Sequence, residues 1–313
     1  MKKFLALVLA LVMSLSLVAC GSEETTDEGA ADGDTAASEL NVGVFYYNYS
    51  DAYITTVRNA MDALLEEAGI TYNNYDGAGN QATQLDQINT AISNGTNLLV
   101  VNIVETSSPD AAQQACDAAK NAGIPIVFFN REVENSVVDS YENCAFVGTD
   151  AAEAGKPALS FYDANNTSKY LVDTTGNWSS QAATDYMNTV LAAYSEASGN
   201  MVELVIANND GMAEGAIAAL QAAGYNTGEE GSTTIPVYGV DAMDSAVQKI
   251  ENGQMTGTVK QDAEGMASTI MTLVNNINTG AALMDNTSDF VVDSDCAKIR
   301  VPYAMVTSEE AAA

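Results

Sequence analysis

The pattern that most constrains the fold is an alternation, from Leu40 onward, of short apolar runs with longer amphipathic stretches. Several of the short runs are apolar at successive positions, which is typical of strands buried on both faces of a parallel sheet. Strands separated by single helices indicate an α/β fold with doubly wound parallel sheets. We predict strands over 42–47, 70–75, 98–104, 124–129, 145–147, 170–172, 202–207, 235–240 and 255–259.

The amphipathic stretches between these runs predict helices. Val57 and Met61 lie on one face of the first, and Gly69 is placed to end it. Ser108-Pro109 is typical of a helix N-terminus, with proline at the first helical position, and Gly123 ends that helix. About 275 ordered residues are many for one such sheet, so we expect two similar α/β domains. Helices are predicted over 51–68, 81–93, 109–122, 179–194, 211–223, 243–251 and 263–279.

One crossover departs from this regular alternation. The helix expected from Asp150 meets Pro157 after two turns, and a polar, loop-like stretch (163–168) follows. Because an interior proline ends or kinks a helix, this crossover is short and locally inconsistent. The sequence indicates either a defect or a specialisation at this point.

The first twenty residues predict the compartment. Lys2 and Lys3 precede an apolar stretch (4–17) that ends in small residues directly before Cys20. A positively charged N-terminal region, a short apolar run and small residues at the cleavage site are typical of a secretory signal peptide. The cysteine at the cut resembles the lipobox of bacterial lipoproteins, which predicts lipid on Cys20 and an extracytoplasmic, membrane-anchored protein. An ordinary secreted protein with an incidental cysteine is the alternative.

Charge and composition exclude several function classes. Residues 21–38 are acidic and contain no large apolar side chain, so we expect a disordered linker. The formal net charge of −31 argues against nucleic acid as a partner, because phosphates require a basic surface. Histidine is absent, which removes Ser-His-Asp and Cys-His catalysis and the commonest zinc ligand. Cys116, Cys144 and Cys296 match no metal or disulfide framework; we expect buried thiols, with one disulfide left open.

Polar side chains follow the predicted strands at their carboxyl ends, where parallel α/β sheets bind ligands. Amides, carboxylates and aromatic rings, without a phosphate loop or a basic cluster, suit a neutral polyhydroxylated molecule. Each residue also has a purely structural interpretation, since Asn and Asp after strands are common turn and capping residues. The residues in question are Tyr47, Tyr49, Asp51, Tyr53, Asn102, Asn208, Asn209, Asp210, Asp241, Gln261 and Asp262.

Two further features leave alternatives open. Trp178 is the only tryptophan and stands in a polar stretch, so it is either a stacking platform for a ligand or a lone core residue. Carboxylate pairs could serve a glycosidase, but 42 acidic residues make chance pairs unavoidable. Gly77-Ala78-Gly79 lacks the further residues of a dinucleotide or phosphate-binding loop.

Taken together, these segments resemble the periplasmic galactose/glucose-binding proteins of ABC transporters, in their lipoprotein form. The resemblance extends in order over nearly the whole chain after residue 38, and IANND (206–210) with GVDA (239–242) is its most specific part. The other matching stretches are 42–60, 98–106, 124–132, 146–155, 202–217, 235–242, 255–263 and 299–303.

The resemblance implies a fold, a site and a mechanism. It implies two doubly wound parallel-sheet lobes of periplasmic-binding-protein type I, joined by a hinge of three strands near Phe129, Lys260 and Val292, which close on the ligand. Asp51, Asn102, Asn209 and Asp241 would bind the sugar hydroxyls, Tyr53 and Trp178 would sandwich the ring, and Gln261 stands where the family typically has asparagine. The implied divisions are a signal peptide over 1–19, a linker over 20–38, a first lobe over 39–129 and 260–292, and a second lobe over 130–259 and 293–313.

The chain departs from the family between Gly155 and Tyr170. Family members have there a long helix, a calcium-binding loop and a strand–helix unit with a polar cluster that grips the sugar, whereas Gly155-Lys156-Pro157 suggests a deletion. Glu203 matches the family's last calcium ligand but has lost its partners, so we expect no calcium and no other metal or cofactor. The affinity for the sugar would fall with the missing cluster.

The sequence therefore predicts a monomeric, lipid-anchored binder of galactose or glucose that feeds an ABC permease. Three alternatives remain: a sensor or binder of a different small ligand, a deletion variant with impaired binding, and, last, an enzyme.

Overall fold

The computed structural model describes residues 39–151, 171 and 176–308, which form two β-sheets with helices packed against them. These described residues form one compact unit. The predicted signal peptide, Cys20, the acidic linker and the crossover around Gly155–Pro157 lie outside the described residues. Leu171, the one described residue of the strand predicted over 170–172, is not in a strand.

The first sheet has seven strands, and helices cover both of its faces. Its order is β2-β1-β3-β4-β5-β10-β9, parallel throughout except for the antiparallel edge strand β9. Adjacent strands are joined in register, for example Val44 opposite Val100. The strands are β1 (Asn41–Tyr46), β2 (Thr71–Asp76), β3 (Leu98–Val101), β4 (Ile126–Phe129), β5 (Cys144–Gly148), β9 (Val291–Val292) and β10 (Lys298–Arg300).

The second sheet has four strands in the order β11-β8-β7-β6. β6, β7 and β8 are parallel, and β11 runs antiparallel to β8 at the edge. These strands are β6 (Val205–Ile206), β7 (Val237–Val240), β8 (Gly257–Gln261) and β11 (Tyr303–Thr307). The predicted α/β class with doubly wound sheets is confirmed, but both sheets carry an antiparallel edge that the apolar runs did not indicate.

The helices form where the sequence alternates polar and apolar faces. α1 begins after Asp51, whose Oδ1 accepts a hydrogen bond from the Ile54 amide, and it buries Val57 and Met61. α3 ends at Gly123, where φ is +69°, as predicted. The helices are α1 (Ala52–Glu67), α2 (Gln81–Ser93), α3 (Asp110–Ala122), α4 (Asn135–Val138), α5 (Ser180–Ala193), α6 (Asp210–Ala222), α7 (Asp244–Glu251) and α8 (Ala263–Asn278).

Three apolar clusters make up the core. One lies between the first sheet and α1 with α8, and a second lies on the opposite face of that sheet, against α2 and α3. The second also holds Cys116, Cys144 and Cys296, all three free and buried. The third cluster joins α5, α6 and α7 to the second sheet.

Strand pairing differs from the predicted lobe boundaries at two of the three crossings. β5 pairs with β4 and β10 pairs with β5, so both strands belong to the first sheet rather than to the second lobe. The chain therefore leaves the first sheet after Gly148 rather than near Phe129, and again between Arg300 and Tyr303 rather than near Val292. The backbone hydrogen bond from the Val301 amide to the Gly148 carbonyl (2.9 Å) holds two of these exits together.

Candidate functional site

A cavity of about 760 Å³ lies at the carboxyl ends of strands from both sheets. This is the position at which parallel α/β sheets bind ligands, and the volume is within the ~300–1,000 Å³ typical of small-molecule sites. Six of the seven predicted ligand-binding residues line it. They are Asp51, Tyr53, Trp178, Asn209, Asp241 and Gln261.

Asn102, the seventh predicted residue, does not line the cavity but supports its wall. It is fully buried. Its Oδ1 accepts from the Tyr47 amide (3.2 Å), and its Nδ2 donates to the Phe129 carbonyl (3.1 Å) and to Asn130 Oδ1 (3.1 Å). The side chain thus ties together the residues that follow β1 and β4, and its hydrogen-bonding groups are used within the protein.

The Asp51 carboxylate is held from two sides. Oδ1 caps α1, and Oδ2 accepts a hydrogen bond of 2.6 Å from the Tyr47 hydroxyl. Burial, followed by this bond to Asp51, raises the pKa of Tyr47, so the hydroxyl keeps its proton and acts as the donor. A fixed carboxylate with lone pairs left over can accept hydrogen bonds from ligand hydroxyls.

Arg131 also lines the cavity, although no motif in the sequence marks it as a site residue. Its guanidinium lies over the Tyr47 ring, 4.4 Å from the ring centroid. The pKa of Arg131 is lowered, because the effect of burial exceeds the opposite effect of the nearby Tyr47, Asp51 and Glu105. Asn130, beside it, also lines the cavity and has a positive φ of 60°. The only signal in the sequence was their position directly after β4.

Asp241 enters the cavity wall from a strained turn after β7. Its φ is +115° and that of Ala242 is +56°, values that side-chain-bearing residues seldom adopt. Burial and the carboxylates of Asp210 and Asp51 raise the pKa of Asp241 to about 9. A pKa of about 9 keeps Asp241 protonated at neutral pH, so it can both donate and accept.

Asp210 lies beneath this turn and fixes it. The carboxylate accepts from the Thr258 hydroxyl (2.5 Å) and from the Met243 amide (2.8 Å). Burial raises the pKa of Asp210 to about 6. A Cβ on Gly239 would collide with Asp210 Oδ1, so only glycine fits there. The predicted strand-end role of Asp210 is thus a structural one.

Trp178 and Asn209 form the opposite rim. Trp178 is 47% exposed, has a φ of +62° and lies just before α5. Asn209 Oδ1 caps α6 through the Met212 amide (2.8 Å), and its Nδ2 donates to the Trp178 carbonyl (3.5 Å). An indole face that is half exposed beside a cavity can stack on the apolar face of a ligand.

Gln261, Thr149 and Tyr303 meet where the chain passes between the sheets, and all three line the cavity. The Thr149 hydroxyl is 2.8 Å from the Tyr303 hydroxyl and 3.4 Å from Gln261 Oε1. The Tyr303 hydroxyl donates to Gln261 Oε1 at 3.3 Å. Gln261 also forms a hydrogen bond with Tyr53. Burial raises the pKa of the Tyr53 hydroxyl, and the bond from Gln261 lowers it by a smaller amount. Tyr53 itself is 6% exposed, so it presents little surface to a ligand.

A charged network adjoins these residues. Lys298 Nζ is buried and lies 2.7 Å from Glu132 Oε1 and 2.6 Å from the Val133 carbonyl. Arg300 bridges Glu132 and Asp293 with contacts of 2.7 Å to each and donates to the Thr149 carbonyl (3.3 Å). The pairs with Glu132 fasten β10 to the residues that follow β4, and the pair with Asp293 fastens it to the end of β9.

Within the described ranges, no three or more His, Cys, Asp or Glu side chains are grouped so as to hold a metal ion. No helix in that part of the chain is both long and apolar enough to cross a membrane. The cavity offers carboxyl, amide, hydroxyl and guanidinium groups with aromatic surface. That set can bind a small molecule with many hydroxyl groups.

Comparison with known proteins gives a consistent match. The family model described as periplasmic binding protein domain matches residues 42–165 and 158–282. A D-galactose/methyl-galactoside binding periplasmic protein from Haemophilus influenzae is 29% identical over 326 residues, covering 90% of this chain and 93% of that protein.

Solved structures show the same fold. An ABC transporter solute-binding protein from Bacillus halodurans with bound myo-inositol superposes with a TM-score of 0.69 at 23% identity, over 88% of this chain and 96% of that one. A Caulobacter myo-inositol binding protein gives a TM-score of 0.72 at 19% identity, over 88% and 95%.

Proposed function

Because the chain belongs to the periplasmic binding protein family, we propose that it captures a monosaccharide or related polyol outside the cytoplasm for an ABC importer. The related proteins are binding proteins of transport systems, and this protein is accordingly a binding protein and not an enzyme. Its partners in this role are the sugar and the permease subunits of the importer.

The cavity at the carboxyl ends of both sheets is the observation that carries the proposal. It combines hydroxyl-binding groups fixed by the protein, such as Asp51 and Asn209, with the half-exposed Trp178. Fixed polar groups provide orientation and specificity, while an aromatic face covers the apolar side of a sugar ring. In this proposal Asp51, Tyr53, Trp178, Asn209, Asp241 and Gln261 contact the ligand, and Asn102 supports them from within the protein.

Galactose or glucose is our first choice of ligand. The 29% identical relative is named as a galactose-binding protein, and Asn130 with Arg131 adds an amide and a cation to the first-sheet side of the site. A cyclic polyol is the second choice, since the two solved structures named above hold myo-inositol. A sensor of another ligand and a variant with impaired binding remain the alternatives.

Titration calorimetry of the purified protein tests this proposal. The panel comprises D-galactose, D-glucose, L-arabinose, D-ribose, xylitol and myo-inositol. We expect a dissociation constant in the micromolar range or below for at least one hexose, with weaker binding to the acyclic xylitol. Tighter binding of myo-inositol than of either hexose would identify a cyclitol as the ligand in place of a hexose. No heat with any member, together with no rise in melting temperature, would reject sugar capture.

We also propose two lobes that close on the ligand, each built on one of the sheets. The chain passes between the sheets after Gly148, at Gln261 and between Arg300 and Tyr303, and these segments would act as the hinge. Small-angle scattering should show a smaller radius of gyration with the sugar bound, and an unchanged radius would argue against closure.

The proposed anchor is a lipid on Cys20. Lys2, Lys3, the apolar run and the small residues before Cys20 support it. In cells, Cys20→Ala should move the protein from the membrane fraction to the soluble fraction, with Cys116→Ala as a control at a buried thiol. Membrane retention of the Cys20 variant would exclude this anchor. We expect the protein to act as a monomer, which light scattering of the purified form would check.

A further inference from the structure

Thr149, Gln261 and Tyr303 come from the three separate passages of the chain between the sheets. Thr149 follows β5, Gln261 is the last residue of β8, and Tyr303 is the first residue of β11. Gln261 and Tyr303 are also direct neighbours across the antiparallel pair of β8 and β11. One hydrogen-bonded cluster thus joins all three passages.

The cluster has a direction that follows from its chemistry. Each hydroxyl has one proton to donate, and the shortest contact is that between Thr149 and Tyr303, at 2.8 Å. When Thr149 donates to the Tyr303 oxygen, Tyr303 donates in turn to Gln261 Oε1. The carbonyl end of the Gln261 amide is therefore held by the hydroxyls. The amino end has two protons, of which one is donated to the Tyr53 hydroxyl, because that hydrogen bond lowers the pKa of Tyr53; the second is available on a side chain that lines the cavity.

The backbone of the cluster is fixed as well. Arg300 donates to the Thr149 carbonyl, and the Val301 amide donates to the Gly148 carbonyl. Thr149 is 5% exposed and Gln261 is 8% exposed. Few alternative rotamers are open to side chains so enclosed, and an amide held at one end presents its other end in a defined direction.

We propose that Thr149 and Tyr303 are positioning residues that orient the Gln261 side-chain amide, so that its NH₂ group donates to a hydroxyl oxygen of the ligand. This role rests on the proposed capture of a sugar or polyol. Thr149 and Tyr303 act through Gln261, and they select ligands that carry an acceptor oxygen at that place.

A double-mutant cycle tests the positioning role. The singles are Thr149→Val and Tyr303→Phe, which remove only hydroxyls, and Gln261→Leu, which removes the amide. Two double variants combine Gln261→Leu with Thr149→Val or with Tyr303→Phe. Calorimetry measures the affinity for the tightest-binding member of the sugar panel. Thr184→Val and Tyr141→Phe remove hydroxyls that bond to backbone carbonyls away from the cavity, and they serve as matched controls.

We expect each hydroxyl removal to weaken binding about fivefold to tenfold. Gln261→Leu should weaken it about tenfold or more. In the Gln261→Leu background the hydroxyl removals should change affinity less than about twofold, because the group they orient is gone. The two control variants should bind as the wild type does.

Equal losses in the wild-type and Gln261→Leu backgrounds would overturn the proposal, since a general structural role predicts additivity. Unchanged affinity in both hydroxyl variants would overturn it too. If Gln261→Leu does not fold, Gln261→Met, which keeps the length of the side chain, takes its place in the cycle. A wild-type protein that binds no member of the panel would reject the proposed function and the positioning role together, whereas sugar binding with an additive cycle rejects only the latter.

Discussion

The hydroxyl of Tyr47 donates a 2.6 Å hydrogen bond to Oδ2 of Asp51, whose other oxygen caps the first helix. Tyr47→Phe should therefore weaken sugar binding about threefold to tenfold, because the carboxylate loses one of the two bonds that orient it. Thermal stability should change little, since a phenyl ring keeps the contact with Arg131. Tyr72→Phe is the control. It removes a hydroxyl that donates to Glu66 away from the cavity, and it should bind the sugar with wild-type affinity. A Tyr47 variant with undiminished affinity would show that this bond does not orient the site.

The single tryptophan allows ligand binding to be observed directly. Trp178 is 47% exposed at the cavity rim, so a bound sugar should change its fluorescence, and no other tryptophan contributes to that signal. Trp178→Ala should lose about tenfold or more in affinity, with a melting temperature close to that of the wild type, because little packing is lost. Saturating sugar without any change in emission would place Trp178 outside the binding contacts.

Asn102→Ala should act on stability rather than on ligand contact. The substitution leaves the Tyr47 amide without its partner, and the buried Phe129 carbonyl keeps only its bond from the Arg131 amide. We expect the free energy of unfolding to fall by about 2–4 kcal/mol. Urea denaturation measures it, with Asn89→Ala as a control at an exposed helical asparagine. Full stability combined with lost affinity would return Asn102 to the ligand-binding set.

Asp241 makes stability depend on pH in a defined direction. The folded protein keeps this proton up to about pH 9, whereas an ordinary aspartate releases it near 3.8. The resulting stabilisation is complete below about pH 4 and is lost as the pH rises toward 9. Relative to Asp241→Asn, the wild type should lose stability between pH 5 and 8.5, by at most about 1.4 kcal/mol per pH unit.

Denaturation of both proteins at several pH values in ligand-free buffer checks this. Asp86→Asn makes the same substitution at an exposed helix position and controls for the loss of one carboxyl group. A constant difference between wild type and Asp241→Asn over that range would contradict the raised pKa of Asp241.

Glu132 partners the buried ammonium of Lys298. Glu132→Gln should lower the free energy of unfolding by about 1–3 kcal/mol, because Lys298 Nζ is left with the Val133 carbonyl and no carboxylate, while Glu132 is itself half exposed. Lys260→Gln breaks the exposed pair with Asp262 and should cost less than about 1 kcal/mol. An equal fall in the free energy of unfolding for the two variants would show that burial of Lys298 does not strengthen its ion pair.

Periodicity and strand-end position predicted much of the fold and part of the candidate site. Gln81–Ser93 forms the helix that was predicted, because its caps and apolar face are encoded locally. β11 was missed, since the short mixed segment after Pro302 is a strand only through its pairing with β8. Sequence locates Asn102 at a strand end but not the side to which its side chain turns, which in the structure is toward Tyr47, Phe129 and Asn130. Thr149 and Tyr303 are single polar residues, and only the meeting of distant segments brings them together.

In the proposed closure of the lobes, the convergence of three chain passages at Thr149, Gln261 and Tyr303 would give the cavity a floor that moves little and a rim that moves more. A rotation of one sheet against the other about that point would displace Trp178 much further than Gln261. Ligand capture would then proceed in two kinetic stages: a fast encounter at the floor, nearly independent of the rotation, and a slower engagement of the rim. Substitutions at Gln261 would alter the first stage, and substitutions at Trp178 would alter mainly the rate of release.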